Sequence, residues 1–259
     1  MYTVNIVSMF WNKKKRTIRF YNPIEAIVRA YPVIHSKSLK RPWMDGEVKK
    51  YKNLLDMSTK SSTCPLRHIV STAKCPGIHT LFNTGYIVRA PMDIKIITNG
   101  DGVSFHASTL GELPDNYKIV GEHPPEQLAD LVAIPHQSLK SLIKIHTTWK
   151  VSCPDDIVFL VMPVSYNNES RFTTAMGILD PLEAPEVNSQ LYWHVLDGAE
   201  VIKAGTALAQ YIPIPRDIGC ELIVDTYQPD DARKDANLAY ALTHSNNRNH
   251  NVIKKMIND

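Results

Sequence analysis

The chain contains no run of about 18 apolar residues, the length a helix needs to cross a bilayer, so no helical membrane span is expected. Its first residues, Met1-Tyr2-Thr3-Val4-Asn5-Ile6-Val7, alternate as a strand does. They have neither the basic start nor the long apolar centre of a secretory signal, so a cytoplasmic setting is the expectation. Cysteine is scarce. Cys64, Cys75, Cys153 and Cys220 are the only four in 259 residues, and none form a Cys-x-x-Cys pair. Such usage fits reduced, idle thiols rather than a disulfide framework. Three of them precede proline, which pushes the preceding residue into an extended conformation. A zinc site built from Cys64, Cys75 and His68 or His79 is an alternative, but its spacing matches no common zinc module. No cofactor or metal is expected. The chain also lacks a Gly-x-Ser-x-Gly elbow, a Gly-x-x-x-x-Gly-Lys loop and a dinucleotide fingerprint, which removes the commonest hydrolase and nucleotide-binding folds.

Excess charge of one sign is missing too. The net charge of +3 is too small for a nucleic-acid footprint. One local exception is Lys13-Lys14-Lys15-Arg16, close to Trp11. The run reads either as a solvated turn between strands or as a partner-binding patch made by Trp11, Lys13, Lys14, Lys15 and Arg16.

What is present is β grammar. In residues 177–216 a strand carries Leu191, Trp193 and Val195 on one face and Tyr192, His194 and Leu196 on the other. Asp197-Gly198 then reads as a tight turn, and a return strand carries Leu208, Gln210 and Ile212 before Pro213 and Pro215 end the pairing. Residues 85–91 and 92–98 read as strands, the second with Ile94 and Ile96 on its apolar face. Asn99-Gly100-Asp101-Gly102 is a strong hairpin turn leading to a return strand at 103–107. Residues 141–151 and 157–163 are two further strands around Cys153-Pro154-Asp155-Asp156. Residues 4–10 and 17–21 read as a hairpin. Helices are expected at 23–30, with Asn22 as cap, and at 47–57, 124–131, 229–242 and 252–257. The fold class is therefore mainly β, an antiparallel β-sandwich or distorted barrel. Residues 1–60 pack on a core at 61–228, and 229–259 form a helical C-terminal arm.

Two resemblances arise from these residues. The order Arg41-Pro42-Trp43-Met44-Asp45, Cys75-Pro76-Gly77-Ile78, Gly177-Ile178-Leu179-Asp180 and a late strand ending Pro213-Ile214-Pro215-Arg216 resembles an uncharacterised family of phage and bacterial proteins. Locally, Gly177-Ile178-Leu179-Asp180 followed by Gly205-Thr206-Ala207-Leu208-Ala209-Gln210-Tyr211 is similar to the dUTPase and dCTP deaminase superfamily. That resemblance implies a β-clip-like sheet and that Asp180 faces a deoxyribose. The superfamily's tyrosine after the aspartate is replaced by Pro181-Leu182-Glu183-Ala184. Its Arg-Ser-Gly phosphate loop and glycine-rich C-terminal motif are absent.

Asp180 and His194 are the candidate catalytic residues. Asp180 is either a general base or a turn residue accepting hydrogen bonds beside Pro181. His194 is either an acid, base or ligand, or a satisfied core histidine. Trp149 and Trp193 are expected as packing anchors. The leading functional expectation is a non-catalytic viral, phage-type protein that assembles or binds a protein partner in the host cytoplasm or virion. The alternative is a pyrimidine deoxynucleotide-handling enzyme. A weaker alternative is a cupin-like metal-dependent oxygenase, for which the chain offers no His-x-His or His-x-Asp/Glu pair.

Overall fold

A computed structural model describes residues 16–41, 76–111, 117–128, 137–220, 230 and 233–237. The chain divides into two units, Met1–Asp217 and Ile218–Asp259. In the second unit the described helical residues are exposed, and Arg233 pairs with Asp230 at 3.4 Å.

The first unit is mainly β, and every strand pair is antiparallel. In chain order its elements are β1 (Arg19–Tyr21), α1 (Glu25–Ala30), β2 (Ile34–His35), α2 (Pro76–Asn83), β3 (Tyr86–Arg89), β4 (Ile94–Asn99), β5 (Phe105–Thr109), β6 (Val120–His123), α3 (Pro125–Leu128), β7 (Leu142–Ser152), β8 (Ile157–Met162), β9 (Phe172–Thr174), β10 (Gly177–Leu179), β11 (Glu186–Trp193), β12 (Asp197–Ile202) and β13 (Ala207–Pro215). One sheet runs β1-β7-β11-β9, with β6 also on β7. A second runs β10-β8-β13-β3-β2, and a third β12-β4-β5. They pack as a sandwich, and among the described residues no sheet closes into a barrel.

Alternation builds the core. The inward residues of β7 include Ile143, Ile145, Trp149 and Val151, all nearly inaccessible, and those of β11 include Val187, Leu191 and Trp193. One apolar cluster gathers Ile94, Ile96, Ile143, Leu191, Trp193 and Leu208. A second gathers Ile27, Val88, Trp149, Phe159, Val187 and Tyr211. The register shift of β13 between Ala207 and Ala209 lets Leu208 enter the first cluster and Ala209 the second. Trp149 and Trp193 are packing anchors, at 4% and 0% exposure.

Three sequence expectations need correction. Residues 177–216 are not one hairpin: β11 pairs with β7 and β9, β12 with β4, and β13 with β3 and β8. Gly198, at φ +106°, lies in β12, and the chain there leaves one sheet for another. Pro213 and Pro215 lie inside β13, opposite Phe159 and Ile157. They are accommodated because β3 pairs only as far as Tyr211, so the missing donors fall on an edge. Asn22 is not the residue at the N-cap of α1, which is Ile24. Its Oδ1 accepts from Ile24 N at 2.9 Å instead. The first member of the expected hairpin, residues 4–10, and the helices at 47–57 and 252–257 lie outside the described residues.

Candidate binding groove along β10

Among the described residues β10 pairs with β8 alone, so its other side is a sheet edge. Ala175 and Met176 carry the chain to it from β9, the edge of the first sheet. Between these edges and the outer face of β7 and β11 runs a groove of about 490 Å³. That size lies in the range of small-molecule sites. One wall is apolar, from Met176, Ile178 and Leu179. The facing wall is polar, from His123, Lys144, Glu186, Asn188, Gln190 and Tyr192. Met176 is 67% and Ile178 59% exposed, so this wall is surface rather than core. Register builds the polar wall: Lys144 lies opposite both Gly121 of β6 and Gln190 of β11. His123 Nδ1 is 3.0 Å from Gln127 Oε1 and donates to it. Burial pushes the Tyr192 phenol up. Tyr211, fully buried at the floor, donates its hydroxyl to Asn188 O at 2.6 Å, and desolvation raises its phenol strongly.

Asp180 sits at the end of this wall, yet Leu179 and Ala184 line the groove and Asp180 does not. Arg216 grips its carboxylate with two nitrogens, Nη2 to Oδ1 at 2.7 Å and Nη1 to Oδ2. Leu182 N donates to Oδ1 at 3.0 Å, while the Asp180 carbonyl accepts from Glu183 N and Ala184 N. The Arg216 guanidinium holds this carboxyl below the ordinary aspartate range. The arrangement organises a turn. Because the folded pKa is depressed, the pair stabilises the fold above the unfolded value of about 3.9 and loses its effect as pH falls through the folded value. NMR titration of Asp180 is expected to give a midpoint below that of an ordinary aspartate, and Arg216→Met is expected to move it upward. An unmoved midpoint in Arg216→Met would show that the fork does not set it.

His194 lies just beyond the Trp193 end of β11, whereas Asp180 leads toward the Glu186 end. The eight-residue strand between them measures roughly 25 Å, so the two candidates do not share a site. His194 Nδ1 is 2.8 Å from Ser138 Oγ and Nε2 is 2.8 Å from Thr173 Oγ1, so both ring nitrogens have hydroxyl partners. Burial lowers its pKa. Arg16 is exposed and pairs with Asp156. Trp11, Lys13, Lys14 and Lys15 lie outside the described residues, as do Cys64, Cys75 and His68. Among the described residues no cluster of three or more His, Cys, Asp or Glu is arranged to hold a metal. No described helix is long and apolar enough to cross a membrane.

Sequence reasoning missed three polar devices, two of them buried. Gln210, at 0% exposure, donates to Leu81 O and Thr84 O and so closes the C-terminus of α2. Arg41 stacks its guanidinium 4.2 Å from the Phe82 ring and donates to Ser36 O and Leu39 O. Arg171 clasps the Glu169 carboxylate through Nε and Nη2. The polar wall of the groove was missed as well. Its only sequence signal is the placing of His123, Lys144, Asn188, Gln190 and Tyr192 at the outward positions of alternating strands.

No family model and no curated protein matches this chain. Among solved structures it is similar to the EIAV dUTPase, with 13% identity and a TM-score of 0.31 over 56% of this chain and 87% of that one. It is also similar to the dUTPase of phage phi11 of S. aureus. One structure of that enzyme gives 12% identity and a TM-score of 0.32 over 56% and 85% of the two chains, and another gives 12% and 0.30.

Proposed function

We propose that this protein binds a pyrimidine deoxynucleotide in the groove along β10 and holds it without hydrolysing it. The observation that carries the reading is the two-sided character of the groove. The apolar wall at Met176, Ile178 and Leu179 suits the face of a ring. The Asn188 and Gln190 amides and the Tyr192 hydroxyl suit its donor and acceptor edge, and Lys144 with His123 suits a phosphate. The ligand class draws further support from the resemblance in Gly177-Ile178-Leu179-Asp180. The absence of hydrolysis draws support from the engagement of Asp180 by Arg216, which leaves no free base at that position.

Isothermal titration with dUMP, dUTP and dCTP tests this, with phosphate and pyrophosphate release followed in parallel. A dissociation constant below about 1 mM, equivalent to about 4 kcal/mol, is expected for at least one of them. Lys144→Met is expected to weaken it about tenfold, the loss of one charge-assisted contact. No heat at millimolar nucleotide would overturn the reading, and Asp180-dependent release would overturn its non-hydrolytic part. A second reading, self-association or protein docking through the same rim, is favoured by the exposure of Met176, Ile178 and Leu182. It predicts concentration-dependent light scattering that Ile178→Ser abolishes.

A further inference from the structure

We infer that Lys118, His123, Lys144 and His146 form a seat for a doubly charged tetrahedral oxyanion at the polar end of the groove, and that the seat fills with uptake of a proton by a histidine. This deepens the groove reading, since it rests on that groove admitting a small ligand. His123 and Lys144 line it directly. His146 stands behind them: a Cβ on Gly121 would lie 2.8 Å from its Nε2, and Gly121 pairs with Lys144. The absence of a side chain at position 121 thus keeps His146 and Lys144 on one continuous surface.

The chemistry follows from which atoms are free. His123 Nδ1 already donates to Gln127 Oε1, so the neutral ring presents only the lone pair of Nε2, which repels an anion. Protonation turns that atom into a donor. His146 is half-buried, and its pKa is lowered first by desolvation and then by the positive charge of Lys144; a side-chain hydrogen bond with Asn188 opposes this, and Lys118 and His123 add to the lowering. An anion among these cations reverses that repulsion and draws a proton in. The groups facing His146 are Lys144 on its own strand, Lys118 and His123 at and before β6, and Asn188 directly across on β11. Of the carboxylates on the neighbouring elements, Glu186 lines the groove and pairs with Lys150 at 3.3 Å, Glu122 is exposed opposite Ile143, and Glu126 is exposed on α3.

Sulfate is the discriminating probe, because its charge is constant between pH 5.5 and about 8, so any pH dependence belongs to the protein. With sulfate, the NMR titration midpoint of His146 is expected to rise. Sulfate affinity is expected to fall toward tenfold per pH unit above that midpoint, the slope for one linked proton. His123→Asn and Lys144→Met are expected to weaken sulfate several-fold and flatten the pH dependence, while Lys37→Met, exposed beside β2 at the other edge of the second sheet, leaves both unchanged. A His146 midpoint in the unaltered protein that ignores sulfate would overturn the seat even if a variant failed to fold. If sulfate binds as expected but dUMP binds no tighter than sulfate, the nucleotide reading fails and the seat stands. If dUMP binds and sulfate does not, the seat fails alone.

Discussion

Gly85→Ala is expected to destabilise the fold by about 3–5 kcal/mol, enough to lower the melting temperature by roughly 10 °C in a unit of this size. Gly85 precedes β3 with φ at +78°, a conformation in which an L side chain is strained. A Cβ there would stand 2.3 Å from Tyr211 O and 3.0 Å from Ile212 Cα. Both obstacles are backbone of β13, the central strand of its sheet, so neither can swing aside as a side chain would. The Gly85 carbonyl also accepts from Ser36 N at 3.0 Å, so relief by shifting residue 85 would disturb the segment after β2. Urea unfolding of the variant measures the cost. A loss under about 1 kcal/mol would mean that β3 and β13 are not packed this closely. Gly102 is the control, since its φ is also positive but a Cβ there meets nothing within 4 Å. Gly102→Ala should cost only the conformational strain, about 1 kcal/mol.

Trp193→Ala is expected to cost about 3–5 kcal/mol. The side chain is fully buried at the end of β11, with its ring 6.4 Å from that of Phe172 and tilted 9° from parallel. It belongs to the cluster that joins β11 to β4 through Ile94 and Ile96 and to β13 through Leu208. Truncation leaves a cavity bounded by three sheets, none of which can collapse into it without breaking its own ladder. The contrast with phenylalanine sharpens the test. Trp193 Nε1 is buried without a hydrogen-bond partner among the described residues. Trp193→Phe loses ring volume but also discards an unsatisfied donor, so it should cost well under half as much in the same denaturant series. Equal costs for the two variants would show that stacking and volume are not what Trp193 contributes.

Local pattern revealed a good part of this fold. β4, β7 and β8 fall where half-buried alternation put them, because a strand with one wet face writes a period of two into its sequence. Asn99-Gly100-Asp101-Gly102 turns as expected, with both glycines at positive φ. Strand partnership was not legible. Asp197-Gly198 has the chemistry of a turn, and that chemistry serves equally to fold β11 back on itself or to pass the chain to a third sheet. The choice is made by Ile202 and Val201 finding Ile94 and Lys95, a contact about a hundred residues distant. α2 escaped notice because Gly77 weakens its helical signal and its capping group, Gln210, lies on β13. The groove was hidden for the same reason. His123 and Lys144 look ordinary in sequence and meet only through the register of β6 on β7. Asp180, conspicuous in sequence, turns out to be held by Arg216.

The same edge of β7 serves two partners, β6 along its first half and β1 along its last three residues. Between them the chain makes an irregular step at Thr148, at φ +61°, while the pairing with β11 skips between Glu186 and Asn188. Among the described residues no strand fills that gap. One amide bridges it, Asn22 Nδ2, reaching Thr148 Oγ1 at 2.8 Å and Thr147 O at 3.5 Å. The panel carrying β1 and α1 is therefore expected to open to solvent separately from the panel carrying β6. Hydrogen exchange would then proceed as two separate events, and whatever occupies the groove would protect one panel and leave the other to breathe.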